Sequence, residues 1–401
     1  MTSVKFKFRL SKVERNEGVL YYQVIRKRRI RQFPTAYTLL PEEWNDIVER
    51  VICDDTSPRY SVQRIVSDNL QWDELRFERV IRELDESRSD YTAEDVMKMF
   101  RKYTYESSVF HFIEQIITQL KNMNCIRLVE TYTTTLNSLR RFREGQDFPF
   151  EGFTSETMQY YQTYLKTHTS CMNTVSFYMR ILRAVYNRAV EKGMIEQRFP
   201  FRYVYTGIEK TVKRAVSLSI IKAIKNMDLS QYPAVAFARD IFLFSFYTRG
   251  MSFVDIAYLR RDDIQNGMLV YRRRKTGQRL TIQWESCMEE IVKRYSGTNE
   301  KYVFSIITDE NKARKQYHNA QHRINYNLKI LGHMLKLRLP LTMYVARHSW
   351  ASVAKSKHVP LSVISEGLGH DSESTTQIYL SSLETSLVNK ANRKILNLLN
   401  C

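Results

Sequence analysis

Residues that interrupt helices are scarce in this chain, and that scarcity narrows the folds open to it. The chain has 12 glycines and 8 prolines among 401 residues, about 5%, where an average protein carries roughly 12%. An apolar fraction of 43% is that of an ordinary globular protein. At roughly 150 residues per domain, the length corresponds to two or three domains. We therefore expect a folded, multidomain protein built mainly from long helices.

The first 40 residues depart from this helical pattern. Residues 4–10 (VKFKFRL) alternate apolar and basic side chains with a period of two, which is typical of a half-buried strand. A turn signal at 16–18 (NEG) leads to a second strand at 19–25, and a third strand follows around 33–39. The sequence therefore predicts a small three-stranded sheet at the N-terminus.

A dense run of basic residues lies within this sheet. Five of the six residues from 26 to 31 are basic, namely Arg26, Lys27, Arg28, Arg29 and Arg31. Some DNA-binding proteins insert β-strands into a groove of the duplex, so this run is a candidate DNA-contacting surface. The alternative is a solvated run of charge beside a strand, and the sequence supports the two interpretations equally.

Helical periodicity begins after Pro41. It predicts a helix from Ser61 to about Arg88, and a capping-box pattern, Thr92 with Asp95, marks the start of another. Further helices are predicted at 107–122, 125–144, 154–167 and 172–192. These four helices indicate a compact helical domain.

The sequence is thereby divided into three domains. They are an N-terminal sheet with a helical connector (1–100), a helical domain (105–195) and a C-terminal domain (215–401), with 196–214 predicted as a linker. In the C-terminal domain, Ser217 is expected to cap a helix, and 230–248 forms a strongly apolar helix. Two strands, 263–272 and 278–283, are joined by a Lys275-Thr276-Gly277 turn.

Charge and cysteine content limit the function classes. A formal net charge of +19 indicates a polyanionic partner, with nucleic acid first and a membrane surface second. The five cysteines are scattered without CxxC spacing, which argues against a disulfide framework and a zinc site. No stretch approaches 18 apolar residues, and the first ten residues include no apolar leader. We expect a cytoplasmic protein.

Three short motifs near the C-terminus carry the most specific signal. They are YVARHSWAS at 344–352, LGHD at 368–371 and TTQIY at 375–379, so that Arg347 lies 23 residues before His370 and Tyr379 lies nine residues after it. In order and spacing these motifs resemble the tyrosine recombinase (phage integrase) family, with the integrases of conjugative transposons and related mobile elements as the nearest likeness. The resemblance covers about 215–385.

The resemblance implies a fold as well as a reaction. The expected fold is mainly α with small β elements, an α+β class. It comprises an N-terminal three-stranded arm-binding sheet, a helical core-binding (SAM-like) domain and a tyrosine-recombinase catalytic domain. The expected function is site-specific recombination, in which DNA is cut and rejoined through a 3′-phosphotyrosine and a mobile element is integrated or excised.

The chemistry of such a reaction explains the residue types. Resealing DNA without ATP requires a covalent intermediate that keeps the bond energy, and a tyrosine phenol can form one. A phenol has a pKa near 10, so the site must supply positive charge, and guanidinium groups bind phosphate oxygens in pairs. By resemblance, Tyr379 is the nucleophile, Arg347 clamps the phosphate, and His370 hydrogen-bonds it or moves the tyrosine proton. Lys275 would protonate the leaving oxygen.

Two positions depart from the family pattern. Tyr344 occupies the place of a histidine three residues before Arg347, although a phenol can also donate a hydrogen bond to phosphate. In the segment 248–255 (TRGMSFVD), Ser252 stands where the family has its first catalytic arginine. We expect Arg249, one helical turn earlier, to supply the missing guanidinium. The alternatives are Ser252 acting alone or another arginine from 272–274.

The implied partners and the rival functions complete the sequence-based prediction. Expected partners are double-stranded DNA at core and arm sites, a homotetramer on that DNA, and an accessory DNA-bending or excision factor. No metal or nucleotide cofactor and no membrane are expected. An amphipathic helix at 384–399 packs on its own domain or docks on a neighbouring protomer. The rivals are a catalytically weak DNA-binding regulator that kept the fold and a type IB topoisomerase.

Overall fold

The chain folds into two compact units, Met1–Lys210 and Thr211–Cys401. The computed structural model describes residues 2–12, 16–87, 90–169, 171–209, 214–295, 301–370 and 372–380, with the backbone alone for 375 and 378–380. Helices predominate, and small antiparallel sheets accompany them. The predicted mainly helical α+β class is therefore confirmed.

The N-terminal sheet has three antiparallel strands in the order β1-β2-β3. They are β1 (Thr2–Arg9), β2 (Gly18–Arg26) and β3 (Arg29–Leu39). The third strand begins four residues earlier than predicted, because Lys27 and Arg28 form a tight turn with φ angles of 48° and 65°. Two consecutive left-handed residues are typical of two-residue hairpin turns. The predicted three-stranded sheet is confirmed.

One face of this sheet packs against two helices. The short strands β4 (Trp44–Asn45) and β5 (Arg50–Val51) follow the sheet, and the helices are α1 (Tyr60–Ser87) and α2 (Ala93–Glu106). The ring of Tyr22 lies 5.0 Å from that of Phe77 on α1, which stacks at 4.0 Å on Phe100 of α2. Thr92 caps α2 and accepts a hydrogen bond from the Asp95 amide, as its capping-box sequence predicts.

Four helices form the second part of the first unit, close to their predicted bounds. They are α3 (Val109–Asn122), α4 (Ile126–Phe142), α5 (Ser155–His168) and α6 (Met172–Glu191). Their apolar faces enclose a core that includes the buried rings of Tyr161 and Tyr186. Phe201 and Val204 are buried in the same core, so this part of the stretch 196–214 packs on the bundle.

A buried arginine connects the bundle to α1. Arg143 follows α4, and its Nη2 donates to Asn69 Oδ1 of α1 at 2.7 Å. Its guanidinium also lies 5.5 Å from the Trp72 ring centroid and 3.9 Å from the Asp68 carboxylate. Burial lowers the pKa of Arg143 to about 10. The sheet, α1 and the helical bundle therefore share packed contacts within one unit.

The second unit is built around one apolar helix. Its helices are α7 (Leu218–Asn226), α8 (Pro233–Tyr247), α9 (Phe253–Ala257), α10 (Ser286–Arg294), α11 (Ala313–Met334), α12 (Met343–Ser356), α13 (Leu361–Leu368) and α14 (Glu373–Leu380). Phe242 and Phe244 of α8 are fully buried, and α8 packs against α11 and α12. Ser217 caps α7, as predicted. Among the described residues, no helix has both the length and the apolar character needed to cross a bilayer.

A small antiparallel sheet accompanies these helices. Its strands, in the order β6-β7-β8, are β6 (Ile264–Gln265), β7 (Met268–Arg272) and β8 (Arg279–Gln283). The prediction of one strand over 263–272 is wrong, because Asn266 (φ 52°) and Gly267 (φ 72°) form a turn that separates β6 from β7. The predicted turn at Lys275-Thr276-Gly277 does join β7 to β8.

Candidate active site

Arg347 lies at the centre of the candidate site. It projects from α12, is only 6% exposed, and donates from Nη1 to the Gly250 carbonyl oxygen at 2.9 Å. Its Nη2 donates to the Leu368 carbonyl oxygen at the end of α13 and lies 3.2 Å from His370 Nε2. Backbone carbonyls thus hold the guanidinium in one orientation beside the histidine of the LGH motif.

The close approach of Arg347 depends on Gly250. This glycine has a φ of +77°, and a Cβ there would lie 2.7–2.9 Å from Cγ, Cα and Cβ of Arg347. Such distances are too short for any side chain, and the left-handed backbone independently favours glycine. The glycine of the TRGMS segment is therefore required so that the turn after α8 can contact the α12 backbone.

His370 is placed by the turn that ends α13. Gly369 caps this helix in the left-handed conformation (φ 63°), and His370 follows at once. The ring Nδ1 lies 2.7 Å from Thr376 Oγ1 on α14, while Nε2 faces Arg347. The structure thus brings Arg347 and His370 together, as the family resemblance implies.

Tyr379 lies on α14, three residues after Thr376. Its side chain is outside the described residues, so its predicted role stays a prediction. The helix predicted at 384–399 also lies outside the described residues.

Lys275 is exposed in the turn between β7 and β8. The turn is closed by a hydrogen bond from the Gly277 amide to the Arg273 carbonyl oxygen at 2.8 Å. The Arg274 amide donates to Asp255 Oδ1 at 2.9 Å, which attaches the turn to α9. The lysine is therefore presented by a hairpin whose base is fixed to the same unit as Arg347.

Two of the sequence candidates for the first-arginine position, Ser252 and Arg249, differ in their surroundings. Ser252 donates its hydroxyl to Asp255 Oδ2 at 2.5 Å, so this hydroxyl is already bound to a buried carboxylate. Arg249 is half-buried, has a φ of 58°, and reaches across to the Thr281 carbonyl oxygen on β8 at 3.4 Å. Arg249 therefore lies near the site but is only loosely held.

The remaining sequence alternative was an arginine from 272–274, and one member of this group, Arg273, is buried. Arg273 is 7% exposed, and its Nη1 donates to the Gly369 carbonyl oxygen in the turn before His370. Among the described residues it forms no ion pair with a carboxylate. The available signal was strand parity, since Leu269 and Tyr271 of β7 are also buried.

The pKa of the buried Tyr271 side chain is affected by all three arginines. Burial raises the pKa of Tyr271, and the Asp255 carboxylate raises it further. Arg347, Arg273 and Arg249 act in the opposite direction. All three guanidinium groups therefore lie within electrostatic range of Tyr271, and two of them, Arg347 and Arg273, also bind the turn that leads into His370.

Tyr344 lies in the first turn of α12. Its ring is exposed and contacts the buried His348 edge to face, with 4.4 Å between the ring centroids. His348 thus packs against Tyr344 within α12. Tyr344 occupies the exposed position that precedes Arg347 by one turn of the helix.

Within the basic run at 26–31, which was predicted to contact DNA, some residues form ion pairs and others are exposed without one in the described part of the chain. Lys27 lies 2.7 Å from Asp90, which lowers the pKa of that carboxyl, and Arg31 lies 3.4 Å from Glu94. Arg28 and Arg29 are exposed, without an ion pair in the described part of the chain.

Arg26 is the most enclosed member of this run. It donates to Thr2 Oγ1 at 2.8 Å and lies 3.3 Å from the Tyr91 ring centroid. Its guanidinium also lies 3.8 Å from Asp85 and 3.9 Å from Asp90. These contacts tie the end of β2 to the α1–α2 region.

A second basic surface, which the sequence analysis missed, covers the outer face of the sheet. Strand alternation places Lys5, Lys7 and Arg9 of β1 on the face opposite the core, where Lys5 is in register with Gln23 of β2, which is in register with Gln32 of β3. Arg9 donates to Gln32 Oε1 at 3.1 Å, and Gln32 donates to Gln23 Oε1 at 3.2 Å. Arginine and glutamine are residues that read base edges in DNA. The signal was the alternating KFKFR sequence itself.

Comparisons with known proteins identify two regions of the chain. Residues 108–206 match the phage integrase SAM-like domain, and 214–385 match the phage integrase family. No curated protein sequence matches the chain.

Solved structures share its fold. A lambda integrase dimer bound to a COC′ core site is 12% identical, with a TM-score of 0.51, 90% of this chain covered and 91% of that chain. XerH site-specific recombinase bound to palindromic difH is 16% identical (TM-score 0.51, 79% and 94% covered). The Tn1549 transposon integrase in complex with a circular-intermediate DNA is 13% identical (TM-score 0.51, 71% and 99% covered). The two matched regions span more than half of the chain, which therefore belongs to the tyrosine recombinase (phage integrase) family.

Proposed function

We propose that this chain is a site-specific recombinase that cuts and rejoins DNA through a 3′-phosphotyrosine at Tyr379. One observation carries the proposal: two buried guanidinium groups, those of Arg273 and Arg347, donate to the consecutive carbonyls of Gly369 and Leu368. These carbonyls belong to the turn that leads into His370. Positive charge oriented beside a histidine is the arrangement that a phosphodiester in a phosphoryl-transfer reaction requires.

The proposed reaction uses these groups in one exchange. The Tyr379 phenol oxygen attacks the phosphorus, the bond to the 5′ oxygen breaks, and the phosphate remains linked to the 3′ oxygen and to the tyrosine. His370 takes the phenol proton, and Lys275 gives a proton to the leaving 5′ oxygen. Attack by a 5′-hydroxyl of another strand reverses these steps and reseals the DNA.

Arg273 is the strongest candidate for the guanidinium missing at Ser252. A buried arginine that forms no ion pair in the described residues retains its full charge, and a phosphate oxygen is a suitable partner for it. Arg249, which the sequence favoured, is the alternative because it also lies within electrostatic range of Tyr271. Ser252 is a weaker candidate, since its hydroxyl already donates to Asp255.

The proposed partners follow from the family and from the charged faces of the first unit. The fold neighbours include a lambda integrase tetramer bound to a Holliday junction and the Tn1549 transposon integrase with its DNA. We extend this to a homotetramer on double-stranded DNA, a role in a mobile element in the cytoplasm, and an accessory bending or excision factor. Within the predicted division into 1–100, 105–195 and 215–401, the outer sheet face with Lys5, Arg9 and Gln32 would contact arm DNA.

A nicked suicide duplex tests the proposal. Footprinting the protein on the DNA that flanks its own coding sequence identifies the site, and a duplex nicked near the footprint centre is then incubated with the full chain. We expect a covalent protein–DNA adduct from the wild type and none from Tyr379→Phe, with DNA binding retained. Binding without any adduct would instead indicate a regulator that kept the fold. Relaxation of plasmids that lack the site would indicate a topoisomerase.

A further inference from the structure

A hydroxyl on the nucleophile-bearing helix touches the histidine of the site. Thr376 of α14 is fully buried, and its Oγ1 lies 2.7 Å from His370 Nδ1. The opposite ring nitrogen, Nε2, lies 3.2 Å from Arg347 Nη2. His370 is therefore bridged between α14 and α12 through its two nitrogens.

The chemistry of the two contacts selects one tautomer of His370. An arginine N–H can only donate, so Nε2 of His370 accepts from Arg347. The neutral ring then carries its proton on Nδ1, which donates to the Thr376 hydroxyl. In this tautomer the lone pair of Nε2 is on the side of Arg347, where a phosphate and an incoming phenol would lie. Without an acceptor at Thr376, nothing in this bridge would hold the proton on Nδ1.

We propose that Thr376 is a positioning residue that holds His370 in its proton-accepting tautomer whenever the Tyr379-bearing helix is in place. This inference rests on the proposed function, because His370 acts on the phenol that the same helix carries. Thr376 and Tyr379 are three residues apart on α14, so docking of the helix and orientation of the histidine become one event. The base is thereby prepared only when the nucleophile's helix is present.

Two variants of Thr376 distinguish the effect of its hydrogen bond from the effect of its packing. Thr376→Val keeps the shape of the side chain and removes the acceptor, whereas Thr376→Ser keeps the acceptor. In single-turnover cleavage of the suicide duplex, we expect Thr376→Val to be slower by about ten-fold, the rate equivalent of one hydrogen bond. Thr376→Ser should cleave within about two-fold of the wild type. A Val variant at the wild-type rate, or a Ser variant as slow as Val, would overturn the proposal.

The pH dependence distinguishes positioning from mere packing. An Nδ1–H bond is stronger to the charged ring than to the neutral ring, so its loss favours deprotonation of His370. We expect the acid limb of the pH–rate profile to move to lower pH in Thr376→Val and to stay in place in Thr376→Ser. The described charged groups around this turn, Arg347 and Arg273, keep their charge throughout the assay.

A measurement without DNA keeps this inference separate from the proposed function. ¹⁵N NMR of the imidazole rings reports which nitrogen carries the proton, and His370→Gln assigns the signal among the eight histidines. We expect the Nδ1–H tautomer in the wild type and Thr376→Ser, and a shift towards Nε2–H in Thr376→Val. An unchanged tautomer in Thr376→Val contradicts the positioning role. A wild type that forms no adduct, yet shows the tautomer shift, contradicts the recombinase proposal alone.

Discussion

Basic side chains gather in two regions of this protein, and their partners differ. In the N-terminal run, Arg26, Lys27 and Arg31 face carboxylates of the α1–α2 region. In the second unit, Arg273 donates to the Gly369 carbonyl oxygen and forms no described ion pair. A carboxylate neutralises a guanidinium, whereas a carbonyl orients it and leaves its charge. Density of basic residues is therefore a poor guide to where phosphate binds, and the partner of each arginine is a better one.

The second unit should show the largest effect, at Arg347. We expect Arg347→Gln to slow cleavage of the suicide duplex by about 10³-fold or more, because its guanidinium is fixed where charge develops on the phosphate. Arg347→Lys should recover little, since an ammonium cannot donate to Gly250 and Leu368 with the same fork geometry. Single-turnover rates with bound duplex measure both. A Gln variant that cleaves within ten-fold of the wild type would place the phosphate elsewhere.

A comparison of Arg273 with Arg249 decides which guanidinium replaces the one missing at Ser252. We expect Arg273→Gln to slow cleavage by about 10²-fold and Arg249→Gln by less than ten-fold, since only Arg273 is buried beside the His370 turn. Arg272→Gln, an exposed neighbour on the same hairpin, is the matched control and should cleave at the wild-type rate. The reverse order of the first two variants would restore the sequence-based choice of Arg249.

The sequence predicted the elements well, because periodicity is a local property. The three-stranded sheet, the four-helix bundle and the Thr92 cap lie where alternation, helical spacing and capping residues predict them. The contact between Arg347 and His370 was expected from the family resemblance that the short motifs carry. The sheet, the bundle and the cap need no knowledge of distant contacts.

The features that the sequence missed depend on long-range packing. The sequence offered the three arginines of 272–274 without choosing among them, and the alternation of β7, continued one residue beyond its last residue, turns the middle one inward. Arg26 finds its carboxylates about sixty residues away, at Asp85 and Asp90, which no local pattern indicates. The restriction on Gly250 likewise arises from contact with α12, almost a hundred residues later.

A substitution at Gly250 tests how closely the turn after α8 must approach Arg347 of α12. We expect Gly250→Ala to destabilise the fold by about 3 kcal/mol, since a left-handed backbone and a collision with Arg347 both oppose the added Cβ. Gly267→Ala is the matched control: its φ is +72°, but nothing lies within 4 Å of the added Cβ. It should lose only about 1 kcal/mol, the contribution of the backbone alone. Urea unfolding of the two variants measures the difference in unfolding free energy. Equal decreases would show that the Arg347 side chain and backbone shift at little cost to make room for the added Cβ.

Substitutions in the basic run at 26–31 should have the smallest effects. We expect Arg26 to affect stability and Arg28 to affect DNA binding. Arg26→Ala removes contacts to Thr2, to the Tyr91 ring and to two carboxylates, so we expect a loss of about 1–2 kcal/mol of unfolding free energy. Arg28→Ala should leave stability within about 0.5 kcal/mol, because the side chain is exposed. If Arg28 contacts a phosphate, its loss should instead reduce the salt slope of DNA binding by about one. Stability measured by urea unfolding and affinity measured from 50 to 200 mM salt separate the two roles. An Arg26 variant that changes only the salt slope would reverse the distinction between neutralised and available charge in this run.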